Sequence, residues 1–153
     1  AGGPRRAALA TGSVHVGLSR LSGRGVFATR AFEAREVVEL CPALLLDTAA
    51  AGAFDDYVMK DLDADEEEAA AAGIVSGSPL GQTSEKFHFL ALGAGAMYNH
   101  AARPEAVNLD WAFARCEGVV VMRASRDIRP GEELLIDYGE DYWQGRRWLH
   151  QAA

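Results

Sequence analysis

The sequence predicts a mostly β domain with few and short helices. Its apolar residues come in short runs, several runs alternate with polar residues, and glycines or other turn residues separate them. A chain of 153 residues, 49% of them hydrophobic, has room for one domain with a substantial core. No apolar run approaches the roughly 20 residues that span a bilayer, and no secretory signal is recognisable. We therefore expect an intracellular protein without membrane contact.

The first strands follow a tail. Residues 1–13, rich in Gly, Ala and Arg, predict a flexible segment. Val14–Leu18 alternates polar and apolar residues as a strand does, and Gly25–Thr29 predicts the next strand. Val37–Leu46 predicts a third strand that is interrupted at Pro42, where we expect a bulge or a sheet edge.

Residues 48–86 differ from the rest and predict an acidic, alanine-rich insertion. Asp63-Ala-Asp-Glu resembles a capping box before a short helix that ends at Gly73. Eight acidic residues and one lysine lie between Asp55 and Glu68, whereas the rest of the chain carries no net charge. This balance argues against direct nucleic-acid binding. Two interpretations stay open: the patch attracts a basic peptide, or it is a solvated insertion that aids solubility.

The second half continues with short elements. Phe87–Tyr98 is apolar on every face and predicts a buried, partly irregular segment whose glycines permit close approach of neighbouring chain. Leu109–Phe113 and Gly118–Ala124 predict a hairpin, and Leu134–Ile136 predicts a further strand after the Arg129-Pro-Gly-Glu turn. The sequence shows no internal repeat.

The cysteines and histidines predict no metal site. Cys41 lies in an apolar run where buried thiols are ordinary, and with Cys116 it favours two free thiols over a disulfide in an intracellular chain. The four histidines lack the spacing of metal ligands.

Three short motifs carry chemistry. Gly23-Arg-Gly-Val permits a tight turn and close approach to a ligand. Tyr98-Asn-His, with Asn108 shortly after, offers amides that either fix a polar ligand or pin a loop. Gly131-Glu-Glu-Leu-Leu-Ile-Asp-Tyr-Gly places the Tyr138 phenol at the end of a strand.

In this order and spacing, the motifs resemble those of the SET-domain family of protein lysine methyltransferases. The resemblance implies a fold of small curved sheets with a knot-like core, covering residues 14–139, with residues 140–153 closing the site. Leu90–His100 and Tyr138–Trp143 are especially similar to a small stand-alone viral branch of the family, which implies a homodimer. Two departures concern the middle motif: Ala101 replaces its usual serine, and its Pro-Asn pair is spread over residues 104–108.

The resemblance also implies a set of site residues. The cofactor would be S-adenosylmethionine, with S-adenosylhomocysteine as product and no metal. Cofactor contacts would come from Arg24, Gly25, Val26, Asn99, His100, Tyr138 and Trp143. Tyr138 would stand beside the transferred methyl group as the catalytic residue. The substrate lysine channel would be lined by Tyr57, Tyr98 and Tyr142.

The implied substrate is a lysine in a basic protein tail, with histone H3 the leading candidate and the nucleus then the place of action. Two alternatives stay open. The same chemistry would serve a non-histone protein, and loss of catalysis would leave a binding module, which the change to Ala101 favours and the intact Tyr138 opposes.

Overall fold

The computed structural model describes residues 12–46, 51–52, 54–60, 88–114 and 117–144. Within these residues, nine strands form two sheets, and the helical elements are short. The strands are β1 (Val14–Leu18), β2 (Arg24–Ala28), β3 (Val37–Leu46), β4 (Val58–Lys60), β5 (His88–Ala91), β6 (Asn99–His100), β7 (Leu109–Ala114), β8 (Val119–Ala124) and β9 (Glu133–Ile136). Two 3₁₀ turns, η1 (Gly95–Met97) and η2 (Pro104–Ala106), and a helix, α1 (Glu140–Gln144), accompany them. The predicted mostly β class is confirmed.

The smaller sheet has the strand order β1-β2-β9-β6. Its outer strands include the predicted Val14–Leu18 strand, which pairs antiparallel with β2. β6 pairs in parallel with β9, so that Asn99 lies opposite Leu135 and His100 opposite Ile136. The second and third motifs therefore become neighbours, as the resemblance implied.

The larger sheet has the order β4-β5-β3-β8-β7 and contains the predicted β7–β8 hairpin. The prediction of an interruption at Pro42 is wrong: β3 runs through it, and the register shift lies between Val37 and Glu39. The Pro42 carbonyl accepts a hydrogen bond from the Leu92 amide, just beyond the end of β5. In a strand, the N–H and C=O groups of one residue point to the same side, so the N–H that Pro42 lacks would face β5. Because β5 has already ended there, no hydrogen bond between the strands is lost.

The segment predicted to be buried and irregular supplies β5, η1 and the start of β6. Phe89 and Tyr98 are almost fully buried, and Phe89 stacks on Phe113 with ring centroids 4.3 Å apart. A Cβ on Gly95 would lie 2.5 Å from the Ala91 Cβ. The glycine is therefore required for close packing, as the sequence predicted.

Two corners of the fold repeat each other, which corrects the expectation of no internal repeat. The first corner is Thr29–Glu36 and the second is Ser125–Glu132. Phe32 and Ile128 exchange both backbone hydrogen bonds, at 3.0 and 2.9 Å. Each corner also carries an Arg–Glu ion pair, Arg30–Glu36 at 2.8 Å and Arg126–Glu132 at 3.0 Å. The two corners correspond in backbone geometry but share few side chains, so the sequence alone did not reveal the correspondence.

Several predictions fall outside the described residues: most of the tail 1–13, the helix from Asp63 to Gly73 and the loop after it, Cys116, and the part of the segment 140–153 beyond residue 144. Cys41 is buried and free. None of the described helices is long and apolar enough to cross a bilayer.

Candidate functional site

A cavity of about 360 Å³ lies where η1, the end of β9 and α1 meet the start of β4. Its walls are mainly apolar and aromatic, which is typical of a site that excludes water from a buried ligand group. Three acidic residues stand among the lining groups. The cavity is lined by Asp55, Asp56, Tyr57, Val58, Met59, Gly95, Ala96, Tyr98, Trp111, Ile136, Tyr138, Gly139, Glu140 and Tyr142.

Tyr138 is held at both its backbone and its side chain. Its hydroxyl donates to the Tyr98 carbonyl at 2.8 Å. Its backbone N–H donates to Nδ1 of His100 at 3.2 Å, so this imidazole nitrogen acts as the acceptor. Burial is the main reason why the pKa of Tyr138 rises to about 12. The phenol is therefore a fixed, protonated group at neutral pH.

An aromatic group surrounds Tyr138 on the side of α1. The Tyr142 ring meets it edge-on, with centroids 4.6 Å apart, and the Trp143 ring lies nearly parallel to it at 6.2 Å. Trp143 also meets the His100 ring at 5.0 Å. The short helix α1 brings Tyr142 and Trp143 to this place, because it begins two residues after Tyr138.

The tyrosines predicted to line a lysine channel do line the cavity. Tyr57 is 53% exposed and sits at its rim. Tyr98 is almost fully buried, and its hydroxyl donates to the Glu39 carboxylate at 2.7 Å. Burial is the main reason why the pKa of Tyr98 is raised, and the neighbouring Glu39 carboxylate raises it further. The Tyr98 hydroxyl is thus already used within the protein, and its carbonyl faces Tyr138.

Apart from Tyr138, which lines the cavity, the residues predicted to hold the cofactor form a second group outside the cavity lining. The Asn99 amide donates to the carbonyls of Ser22 and Arg24, both at 3.1 Å, and to Glu133 Oε1 at 2.9 Å. A Cβ on Gly25 would overlap the Glu133 carboxylate, so a larger residue here would require the Glu133 side chain to move. Val26 is fully buried and lies between β1 and β9, where it pairs with Val16 and Leu134.

His100 and Tyr138 join the two groups. Arg24 is linked to Asn99, His100 follows Asn99 in β6, and the His100 ring bonds the Tyr138 backbone. The fold therefore brings together residues that lie more than 110 positions apart in the chain, and it places Tyr138 in contact with both groups.

Asn108 belongs to the scaffold. It is 1% exposed, its Nδ2 donates to the Glu133 carbonyl at 2.9 Å and its Oδ1 accepts from the Leu135 amide at 2.7 Å. The interpretation as a pinned loop is therefore the correct one for this residue. Most of the residues between Pro104 and Asn108 lie in η2, and after this turn Asn108 lies beside β9. The departure from the usual motif leaves this contact intact.

Sequence reasoning missed three contributors to the site. Trp111 lines the cavity from β7. The only signal for it in the sequence was a large aromatic side chain within a predicted strand. Glu39 lies outside the lining but bonds Tyr98, and a charge within an apolar strand was the available signal. Glu140 joins Asp55 and Asp56 among the lining residues. Among the described residues, no group of three or more His, Cys, Asp or Glu side chains is arranged to hold a metal ion.

Comparisons with known proteins concern the family and the fold. The family model of the SET domain matches residues 23–139. The chain is 29% identical over 121 residues to a protein of Schizosaccharomyces pombe named histone-lysine N-methyltransferase, H3 lysine-37 specific; the match covers 79% of this chain and 69% of that one.

Two solved structures share the fold. One, from Plasmodium falciparum, is described as a candidate histone methyltransferase; it has a TM-score of 0.57 and 23% identity, over 86% of this chain and 96% of that chain. The other is CpSET8 from Cryptosporidium, with a TM-score of 0.52 and 20% identity, over 83% of this chain and 57% of that chain. At these identities the likeness shows the fold alone.

Proposed function

The chain belongs to the SET-domain family, and from this premise we propose that it is a protein lysine methyltransferase that uses S-adenosylmethionine. Its substrate is the side-chain amine of a lysine in a basic protein segment, with a histone H3 tail the first candidate. One observation carries the proposal most directly. The Tyr138 phenol stands in the wall of an aromatic cavity and is oriented by the Tyr98 carbonyl 2.8 Å away.

The residues assigned to the cofactor fit its chemistry. S-adenosylmethionine, when bound, supplies an electrophilic methyl group on a sulfonium together with an ammonium, a carboxylate and an adenine. The carbonyl oxygens and the Asn99 amide beside β2 offer polar partners for an amino acid group. The adjoining His100 and Trp143 rings offer flat apolar faces suited to an adenine. The proposed cofactor contacts are those of Arg24, Gly25, Val26, Asn99, His100, Tyr138 and Trp143.

Tyr138 assists methyl transfer through its position and through the electrostatic field of its oxygen. With a pKa of about 12, raised by burial, the phenol stays protonated near neutral pH and does not serve as a general base. Its oxygen and the nearby Tyr98 carbonyl face the reacting centre, where oxygen atoms stabilise a polarised methyl group through weak C–H···O contacts. Alignment of donor and acceptor supplies the larger part of the rate.

The cavity walls prepare the lysine. Tyr57, Tyr142 and Trp111 surround the space in which its alkyl chain would lie. An apolar environment disfavours the ammonium form and lowers the pKa of the lysine toward the nucleophilic free amine. The proton then leaves to solvent before transfer, because the phenol cannot accept it.

Two features support a basic, extended substrate. Asp55, Asp56 and Glu140 lie among the cavity-lining residues, and the sequence concentrates further acids just after them. β4, whose Val58 and Met59 line the cavity, is the end strand of the described larger sheet. A peptide added beside this strand would pass the cavity mouth. The name of the Schizosaccharomyces pombe relative favours histone H3, and with it the nucleus.

Incubation with isotope-labelled S-adenosylmethionine and separate core histones tests the proposal, with product mass spectrometry to locate the methylated lysine. We expect label on H3 and a loss of at least about a hundredfold in kcat for Tyr138→Phe, because the oriented oxygen is removed. Unchanged activity in Tyr138→Phe would remove this residue from the mechanism.

The alternatives give different results in the same assay. A non-histone substrate would leave histones unlabelled while a whole-cell lysate shows a labelled band. A binding module would label nothing, and calorimetry with S-adenosylhomocysteine then reports whether cofactor affinity has been lost as well. The homodimer stays a prediction, which analytical ultracentrifugation measures.

A further inference from the structure

Glu39 connects the two ends of η1. Its Oε1 accepts a hydrogen bond from the Ala94 amide at 3.1 Å, at the start of the turn. Its Oε2 accepts from the Tyr98 hydroxyl at 2.7 Å, at the end of the turn. One carboxylate on β3 therefore fixes both the entry and the exit of the segment that forms a wall of the cavity.

The surroundings of Glu39 are built for this contact. A Cβ on Gly93 would approach Oε1 to 2.8 Å, and Gly93 has a φ of 70°, so both the contact and the backbone conformation favour glycine here. Within the described part of the chain, no Lys, Arg or His forms an ion pair with Glu39. The carboxylate is half-buried and is satisfied by neutral donors.

The contact leads to the catalytic oxygen in two steps. Glu39 holds the Tyr98 side chain, and the carbonyl of the same Tyr98 accepts from the Tyr138 hydroxyl at 2.8 Å. Asn99, the next residue, is fixed in β6 by its pairing with Leu135. The Tyr98 peptide is thus held on both sides, and its carbonyl has a defined direction.

We propose that Glu39 is a positioning residue of the methyltransferase: by clamping Ala94 and Tyr98 it orients the Tyr98 carbonyl, and through it the Tyr138 hydroxyl. The inference rests on the proposed function for its kinetic consequence, whereas the clamp itself is a property of the fold. A carboxylate accepts from the two donors with its two oxygens. A glutamine keeps the size but presents an NH₂ group to one of them.

Tyr98→Phe removes the hydrogen bond between Tyr98 and Glu39, and Glu39→Gln leaves the clamp with only one acceptor oxygen for its two donors. We expect kcat to fall about tenfold in each, with KM for cofactor and peptide within about twofold of the parent, because misorientation affects the reacting geometry more than binding. The double variant should lose no more than the single ones. Glu117→Gln, on the exposed β7–β8 turn, is the matched control and should change nothing.

A second readout is independent of turnover. With ¹³Cζ-labelled tyrosine, the Tyr138 signal, assigned through Tyr138→Phe, should shift in both Glu39→Gln and Tyr98→Phe and stay in place in Glu117→Gln. A Tyr138 signal that stays unchanged in folded Glu39→Gln overturns the proposal, and so does an unchanged kcat. If Glu39→Gln does not fold, Tyr98→Phe decides by the same two measurements. If the parent transfers no methyl group, the proposed function fails, and the Tyr138 signal alone decides on the clamp.

Discussion

Arg35 and Gly131 occupy equivalent positions in the two corners of the fold. Both have a positive φ, 70° for Arg35 and 84° for Gly131. The Arg35 amide donates to the Ala124 carbonyl at 2.7 Å, and the Gly131 amide donates to the Ala28 carbonyl at 2.8 Å. The same backbone conformation is therefore adopted once by a residue suited to it and once by a residue that is strained in it.

Arg35→Gly should stabilise the protein. Relief of the strained left-handed backbone should stabilise the protein by about 1–2 kcal/mol. The greater freedom of glycine in the unfolded chain opposes this by about 0.5–1 kcal/mol. We therefore expect the free energy of unfolding to rise by about 0.5–1 kcal/mol. Urea denaturation measures it. Arg35→Ala removes the side chain but keeps the strain and should give no gain; equal gains in both variants would contradict the explanation.

Gly25→Ala should weaken cofactor binding. The added Cβ would overlap the Glu133 carboxylate and lie 3.0 Å from Asn99 Nδ2, so the Glu133–Asn99 hydrogen bond must shift. We expect an affinity for S-adenosylhomocysteine about tenfold lower by calorimetry, with a stability loss of about 1–3 kcal/mol. The matched control is Gly52→Ala, whose Cβ would meet no atom within 4 Å. Unaltered affinity in Gly25→Ala would separate this network from cofactor binding.

Trp111→Ala should impair use of the peptide and spare the cofactor. Trp111 lines the cavity and packs edge-on against Phe89, with ring centroids 6.0 Å apart, but it makes no part of the second group. We expect the peptide KM to rise about tenfold through loss of an aromatic wall. Trp111→Phe should recover most of it. Steady-state kinetics with each substrate varied in turn would refute the assignment if the cofactor KM changed instead.

The pH dependence of kcat should rise from neutral pH into the alkaline range. The free amine of lysine, whose ordinary pKa is about 10.4, is the reactive form, and the apolar cavity lowers that pKa. The Tyr138 phenol has its pKa raised to about 12 by burial, so it remains protonated until well above the ordinary range of tyrosine. A descending limb below about pH 10 would show that another group, or an ionising Tyr138, controls the reaction.

The positions of most strands and of the three motifs were readable from the sequence, whereas β4, β5 and β6 were not predicted as strands. Polar–apolar alternation over Val14–Leu18 and the turn before β9 are local signals, because side-chain direction in a strand depends only on neighbouring residues. The family resemblance further predicted that Tyr57, Tyr98 and Tyr142 would line one channel, and all three line the cavity. Their assignment to lysine binding and catalysis stays a proposal.

Other features depend on which strands become neighbours. Pro42 is tolerated within β3 because β5 ends beside it, a fact about the partner strand. Glu39 reaches Tyr98 across 59 residues of chain, and Trp111 reaches the cavity from a different sheet edge.

The sequence alone thus determined most of the strands, the motifs and the family, since each is written in short stretches of chain. The tertiary structure decided the clamp at Glu39, the paired corners and the composition of the cavity wall. These depend on long-range register, and a contact between distant strands leaves no periodic trace in either of them.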